Sequence, residues 1–249
     1  MEKRVFKNIG KAISDFKLIE EGDRVLVAIS GGKDSWVMMY VLEELRKRAP
    51  IKFELINVNI DQGYRGYRQD LIEDVVEEQG YDYAMEEFNI ANIVAEKIRP
   101  GDVPCSLCAR LRRGYLTGLA EKHNCNKIAL GHHMDDFIET VLLNMFYVGK
   151  IASMAPKLTT ETQKITVIRP LVYCEEEDIR RLCLKKGFPI VCCQCPLACG
   201  NNDALDSKRV FVKRLLKVLE GKIPNIRQSL LTSLGNLKPS HLLDRNYLP

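Results

Sequence analysis

The segment RVLVAISGGKDSWVMMYVLEELRK, from Arg24 to Lys47, constrains the fold more than any other part of the chain. A continuous apolar run stops at Ser30-Gly31-Gly32-Lys33-Asp34-Ser35 and passes at once into a helical pattern, Ser35 to Lys47. This reads as a buried strand, a tight turn and a helix. A strand apolar on both sides must be covered on both faces, which is the situation of a parallel sheet between helical layers. The two glycines let backbone approach a ligand, and the first amides and positive dipole end of the helix favour an anion. The turn is thus a phosphate cradle. It is not the common nucleotide-hydrolysing loop, which needs Ser or Thr directly after Gly-Lys, where this chain has Asp34.

The rest of the chain repeats the alternation. Val5, Ile9, Ala12, Ile13 and Phe16 recur at helical spacing before the first strand. FELINVNID and DYAMEEFNI read as strands around the helix RQDLIEDVVEEQ. NKIALGHH reads as a strand feeding the helix DDFIETVLLNMFY, and ITVIRPL as a strand before a helix EEEDIRRLCLKKG ended by Gly187. The expected fold is α/β: a parallel twisted sheet with helices on both faces, an N-terminal helix and a C-terminal helical extension. The expected boundaries are a helical segment 1–22, a main domain 23–200 and an extension 201–249. Ligands of such sheets gather at the carboxyl ends of the strands, where SGGKDS, NID and GHHMDD all fall. The carboxylates Asp135 and Asp136 could bind magnesium or a substrate, or simply cap the helix that follows.

Nine cysteines need an explanation. The opening MEKRVFKNIG has no apolar run of signal-peptide length and no window reaches membrane-spanning length, so the expected location is cytoplasmic, away from membranes. Disulfides are then not expected, and clustered thiols point to metal or redox chemistry. Cys105 and Cys108 form a C-x-x-C pair, while Cys192, Cys193, Cys195 and Cys199 crowd into VCCQCPLACG. Two soft-donor groups far apart in sequence suggest one shared zinc or iron-sulfur centre. Cys125, Cys174 and Cys183 stand alone and read as ordinary thiols.

SGGKDS after an apolar strand resembles the pyrophosphate loop of the ATP pyrophosphatase, or PP-loop, family. PCSLCARLRRG, KIALGHHMDDFIETVLLNMFYVGK, PKL, IRPL and PSHLLDRN, in that order, resemble the bacterial tRNA 2-thiocytidine synthetases within it. The resemblance implies adenylation of the C2 oxygen of cytidine 32 in a tRNA anticodon loop and its replacement by sulfur, with release of AMP and pyrophosphate. It implies ATP and Mg2+, and nucleotide contacts from Ala28, Ser30, Gly31, Gly32, Lys33, Asp34, Ser35, Asn59, Asp61, Gly131 and His132. It further implies a 4Fe-4S cluster on three cysteines: Cys105, Cys108 and a third, for which Cys195 is favoured over Cys193 and Cys199. Arg112 and Asp136 are the implied catalytic side chains beside Cys105 and Cys108, and a packing role for His132 and His133 competes with proton transfer. Partners implied are tRNA, a sulfur donor such as a cysteine desulfurase, and, compatibly, a second copy in a homodimer. A related enzyme acting on another base, and a non-catalytic zinc-containing RNA-binding protein, are the alternatives.

The net charge of +4 permits an acidic partner without requiring one. Its distribution says more: KRVFVKRLLK, Lys208 to Lys217, holds five basic residues and no acid, and Arg110, Arg112 and Arg113 follow the C-x-x-C pair. Both stretches suit RNA phosphates as well as solvated helix faces.

Overall fold

The structure is a computed structural model that describes residues 1–98, 104–159, 164–195 and 207–243. Cys199 and the C-terminal part of PSHLLDRN lie outside the described residues. The chain divides into two compact units, one of Met1–His133 with Ala155–Asn202, the other of Met134–Met154 with Asp203–Pro249.

The first unit is built on a six-stranded sheet of β1 (Arg24–Ile29), β2 (Glu54–Asp61), β3 (Tyr83–Glu87), β4 (Lys127–Ala129), β5 (Lys157–Thr159) and β6 (Thr166–Ile168), ordered β3-β2-β1-β4-β6-β5. All neighbours pair in parallel except β5, which runs antiparallel to β6 at the edge. Alternate side chains of a strand face opposite ways, and here both sides are needed. Leu26, Ile56, Val58, Ile60 and Ile128 cluster with Leu116, Leu119 and Ala120 of helix α5 (Pro104–Lys122). On the opposite face, Asn57 Nδ2 donates to the buried Glu43 of helix α2 (Lys33–Arg46) at 2.9 Å, so α2 covers that side. The expected parallel, doubly covered α/β sheet is the fold observed.

Helix α1 (Glu2–Phe16) buries Val5, Ile9 and Ala12 and ends at Lys17 in the left-handed conformation. Helices α3 (Gln69–Glu78) and α4 (Ile90–Lys97) flank β3. The strand expected through Ile90 stops at Glu87, because the Asn89 side chain accepts from Asn92 N–H and caps α4 instead. NKIALGHH is a strand only over Lys127–Ala129. Helix α7 (Glu176–Lys186) stops at Gly187, whose φ of 70° suits glycine.

The second unit contains helices α6 (Met134–Tyr147), α8 (Ser207–Glu220) and α9 (Ile226–Ser233), with α6 packed against the other two. Phe137, Ile138, Val141, Val212, Leu216 and Leu231 are buried there. Asp135 pairs with Arg227, and Glu139, 2% exposed, faces Lys213 at 3.7 Å and Arg209 at 3.9 Å. Burial pushes the Glu139 carboxyl up, and Lys213 and Arg209 oppose that rise.

Candidate active site

The cradle forms where β1 ends. Gly31 adopts φ +78°, and Gly32, in extended conformation, is the N-cap of α2 without any side-chain cap. The first amides of the helix are therefore left for a ligand. The loop is braced from within: Ser35 Oγ donates to Gly32 O at 2.9 Å and accepts from Ser30 N–H at 3.1 Å, with Ser30 Oγ at 3.2 Å. Ala28 sits one residue from the strand end, partly buried against the core cluster. Lys33 is held by Asp34 at 3.0 Å and by Glu176 at 2.9 Å. Burial acts to lower its pKa, but the two carboxylates outweigh burial and the net shift is upward. Asp34 Oδ2 is thus engaged, whereas its buried Oδ1 has no hydrogen-bond partner and lies 3.6 Å from His133 Nε2.

The strand ends on either side complete the edge. Gly131 lies against the cradle so closely that a Cβ there would come 3.2 Å from Ser35 N and from the Asp34 carbonyl carbon. Asn59 is buried, and its amide donates to Ile29 O at 2.8 Å and Tyr67 OH at 2.7 Å while accepting from Gln69 at 2.9 Å. Its side chain fixes β1, β2 and the following loop to one another. Asp61 accepts from Gly63 N–H at 2.8 Å and shapes the turn after β2. His132 Nδ1 accepts from Arg169 Nε at 3.3 Å.

The thiols lie at the same edge. Cys105 and Cys108 occupy the first turns of α5, where Cys108 Sγ donates to Gln62 Oε1 at 3.7 Å. Burial pushes the Cys108 thiol up, Arg112 one turn along opposes it, and Cys195, Cys105 and Cys193 raise it further. Tyr64 bonds Cys195, and burial first, then Cys195, Cys108 and Cys193, push its hydroxyl well above the ordinary phenol range. Tyr67, pushed up to about 12 chiefly by burial, also feels Cys193. Thiols from α5 and from the segment after α7 therefore share one electrostatic neighbourhood, a donor set of the soft kind that fits an iron-sulfur or zinc centre. Among the described residues, no three His, Cys, Asp or Glu side chains are drawn together tightly enough to hold a metal ion as they stand.

Three contacts join that cysteine segment to the cradle. Val191 N–H donates to Gly31 O at 3.0 Å, Trp36 Nε1 donates to Pro189 O at 2.7 Å, and Trp36 stacks on Phe188 with ring centroids 5.4 Å apart. Val191, Pro189, Tyr64, Tyr67 and Arg169 are absent from the site residues expected from sequence, although Val191 opens VCCQCPLACG and Arg169 lies in IRPL. Only Arg169 had a usable signal, a basic residue at the carboxyl end of a strand. Asp135 and Asp136 occupy the first turn of α6, where their charge suits the helix dipole, and Cys125, Cys174 and Cys183 are buried thiols, as expected.

A parallel sheet whose central strand delivers an unfilled helix start to an anion defines a nucleotide-binding α/β domain, and residues 1–191 match the PP-loop domain family. A tRNA-cytidine(32) 2-sulfurtransferase from Citrifermentans bemidjiense is 52% identical over 97% of this chain and 93% of its own length. One from Syntrophotalea carbinolica is 50% identical over 98% of this chain and 94% of its own. The chain belongs to the PP-loop family and, within it, to the tRNA-cytidine(32) 2-sulfurtransferases. Among solved structures, the U34-tRNA thiolase NcsA from Methanococcus maripaludis with its [4Fe-4S] cluster superposes with a TM-score of 0.73, at 25% identity, over 94% of this chain and 77% of that one. No helix among the described residues is long and apolar enough to cross a membrane.

Proposed function

We propose that this protein is an ATP-dependent tRNA thiolase that adenylates the C2 oxygen of cytidine 32 and replaces it with sulfur. The observation that carries the reading is the hydrogen bond from Val191 to Gly31, which ties the segment bearing Cys193 and Cys195 directly to the phosphate cradle. Anion chemistry and soft-metal chemistry then share one strand edge, as a reaction joining them requires.

In this reading Gly32 and the amides of Lys33, Asp34 and Ser35 hold the pyrophosphate end of ATP, leaving the α-phosphate toward the base. The C2 oxygen attacks the α-phosphorus as the bond to pyrophosphate breaks. Sulfur then bonds to C2 as the C2–O bond to AMP breaks. The protein supplies positioning and charge balance rather than a nucleophile of its own. Asp34 Oδ1, buried and without a hydrogen-bond partner, is a hard oxygen donor of the kind magnesium takes. Cys105, Cys108 and Cys195 would hold a 4Fe-4S cluster, which when bound would supply soft-metal chemistry for handling sulfur; the sulfur would come from a donor such as a cysteine desulfurase, its persulfide reduced to sulfide by an external two-electron donor. Arg112, which already opposes the rise at Cys108, would balance the negative charge of thiolate ligands. A base must leave its stack to reach such an edge, with Lys and Arg holding the RNA phosphates.

The test is anaerobic reconstitution with iron and sulfide, then incubation with ATP, magnesium and unmodified tRNA. The expected product is 2-thiocytidine at position 32 with stoichiometric AMP and pyrophosphate. Cys105→Ala, Cys108→Ala and Cys195→Ala should each lose bound iron and sulfide as well as product. Thiolation of another base, or a colourless protein that binds stoichiometric zinc and releases no pyrophosphate, would replace this reading.

A further inference from the structure

Arg169 follows β6 directly and is half-buried at the sheet's carboxyl edge. Nε donates to His132 Nδ1 at 3.3 Å and Nη1 to Ala155 O at 2.5 Å, both neutral acceptors. A guanidinium has five N–H donors in a fixed fork, so three remain for another partner. Among the described residues no carboxylate pairs with it. That sets it apart from the other cations of this unit that lie away from water. Lys127 meets Asp23 at 2.6 Å and Glu20 at 3.3 Å, and Lys33 meets Asp34 and Glu176. Burial, and then the neighbouring Arg113, push the Arg169 pKa down, the response of a cation short of counter-charge.

Its placement says what could supply that charge. β6 neighbours β4, and β4 neighbours β1, whose end is the cradle. At about 4.8 Å per strand, Arg169 stands about 10 Å along the edge from the cradle, within the reach of one extended phosphate-bearing ligand.

We propose that Arg169 forms a second phosphate-binding position at the end of β6, taking a phosphate oxyanion of the bound substrates. The oxyanion comes either from the nucleotide or from the RNA backbone. The proposal rests on the thiolase reading for its ligands, but its test does not depend on thiolation.

The experiment compares wild type with Arg169→Met and Arg169→Lys as the full chain, measuring affinity for ATP, pyrophosphate and unmodified tRNA, and the melting temperature without ligand. Losing a charge-assisted bond to phosphate should weaken one class of ligand about ten- to a hundredfold in Arg169→Met, with partial recovery in Arg169→Lys. Weaker ATP or pyrophosphate binding with tRNA unchanged assigns the nucleotide. Weaker tRNA binding, with a salt slope shallower by about one, assigns the RNA backbone. The ligand-free melting temperature should stay level or rise, since an uncompensated cation has been removed. Unaltered binding of all three probes, with or without a lowered melting temperature, would overturn the proposal. Pyrophosphate binding that depends on Arg169 in a protein that never thiolates tRNA would instead sink the thiolase reading and leave this position standing.

Discussion

Val191 and Gly31 meet twice: the Val191 N–H donates to the Gly31 carbonyl at 3.0 Å, and a Cβ built on Gly31 would lie 2.7 Å from Val191 Cβ. Gly31 also holds φ +78°, so an added methyl is penalised by its own backbone as well as by its neighbour. Gly31→Ala should cost about 1–3 kcal/mol and weaken ATP binding at least tenfold. Val191→Gly in that background removes the nearest clash, so the double variant should be less destabilised than the sum of the singles. A denaturant-melt double-mutant cycle reads the coupling, and strict additivity would deny the contact.

Trp36 is the sole tryptophan of the chain, bonded to Pro189 O at 2.7 Å and nearly parallel to Phe188 at 14°. Trp36→Phe keeps an aromatic stack and loses the hydrogen bond, which should cost about 1 kcal/mol. Trp36→Ala should cost about 3–5 kcal/mol. Intrinsic fluorescence follows the same residue, and binding of ATP at the adjoining cradle should change its emission.

On α8, Arg209 and Lys213 face Glu139, whereas Arg214 and Lys217 are exposed. If α8 contacts RNA phosphates, Arg214→Ala with Lys217→Ala should make the log–log salt slope of tRNA binding shallower by about two. Filter binding at several salt concentrations measures it. An unchanged slope removes these two side chains from the RNA surface.

Glu2 ties α1 to α7 through Lys185 at 2.5 Å and Lys186 at 3.3 Å. Lys185 above all holds its carboxyl down, from an ordinary 4.5 to about 2. A carboxyl depressed in the folded state stabilises it above pH 4.5 and loses that contribution as pH falls toward about 2. Glu2→Gln should therefore melt lower at pH 7, by no more than about 1 kcal/mol for a pair reached by solvent. The gap should close in acid, and thermal melts between pH 7 and pH 2.5 would show it.

Much of this architecture was legible because burial on both faces writes long apolar runs. RVLVAI and ELINVNID declare themselves as inner strands. β5, KLT, does not, since three residues at an antiparallel edge carry almost no pattern. The start of α5 was equally hard to read. Its leading turns spend their positions on cysteines and arginines, and the apolar face declares itself only from Leu116. At the site, glycines, carboxylates and thiols announced their chemistry by type. The Val191 and Pro189 contacts did not, because they use backbone atoms, which every residue type shares. Asn59 shows the middle case: its position at a strand end was visible, but not that Ile29, Tyr67 and Gln69 occupy its amide.

The order β3-β2-β1-β4-β6-β5 sets a timetable for synthesis. A ribosome delivers β1 and β2 early, yet the second flank of β1 is not available until residue 129 has emerged. Through that interval one side of a hydrophobic strand offers unpaired amides and carbonyls to any passing chain. Pairing of β4 along Val25–Val27 closes that side of β1, so the finished sheet ends only at β3 and β5.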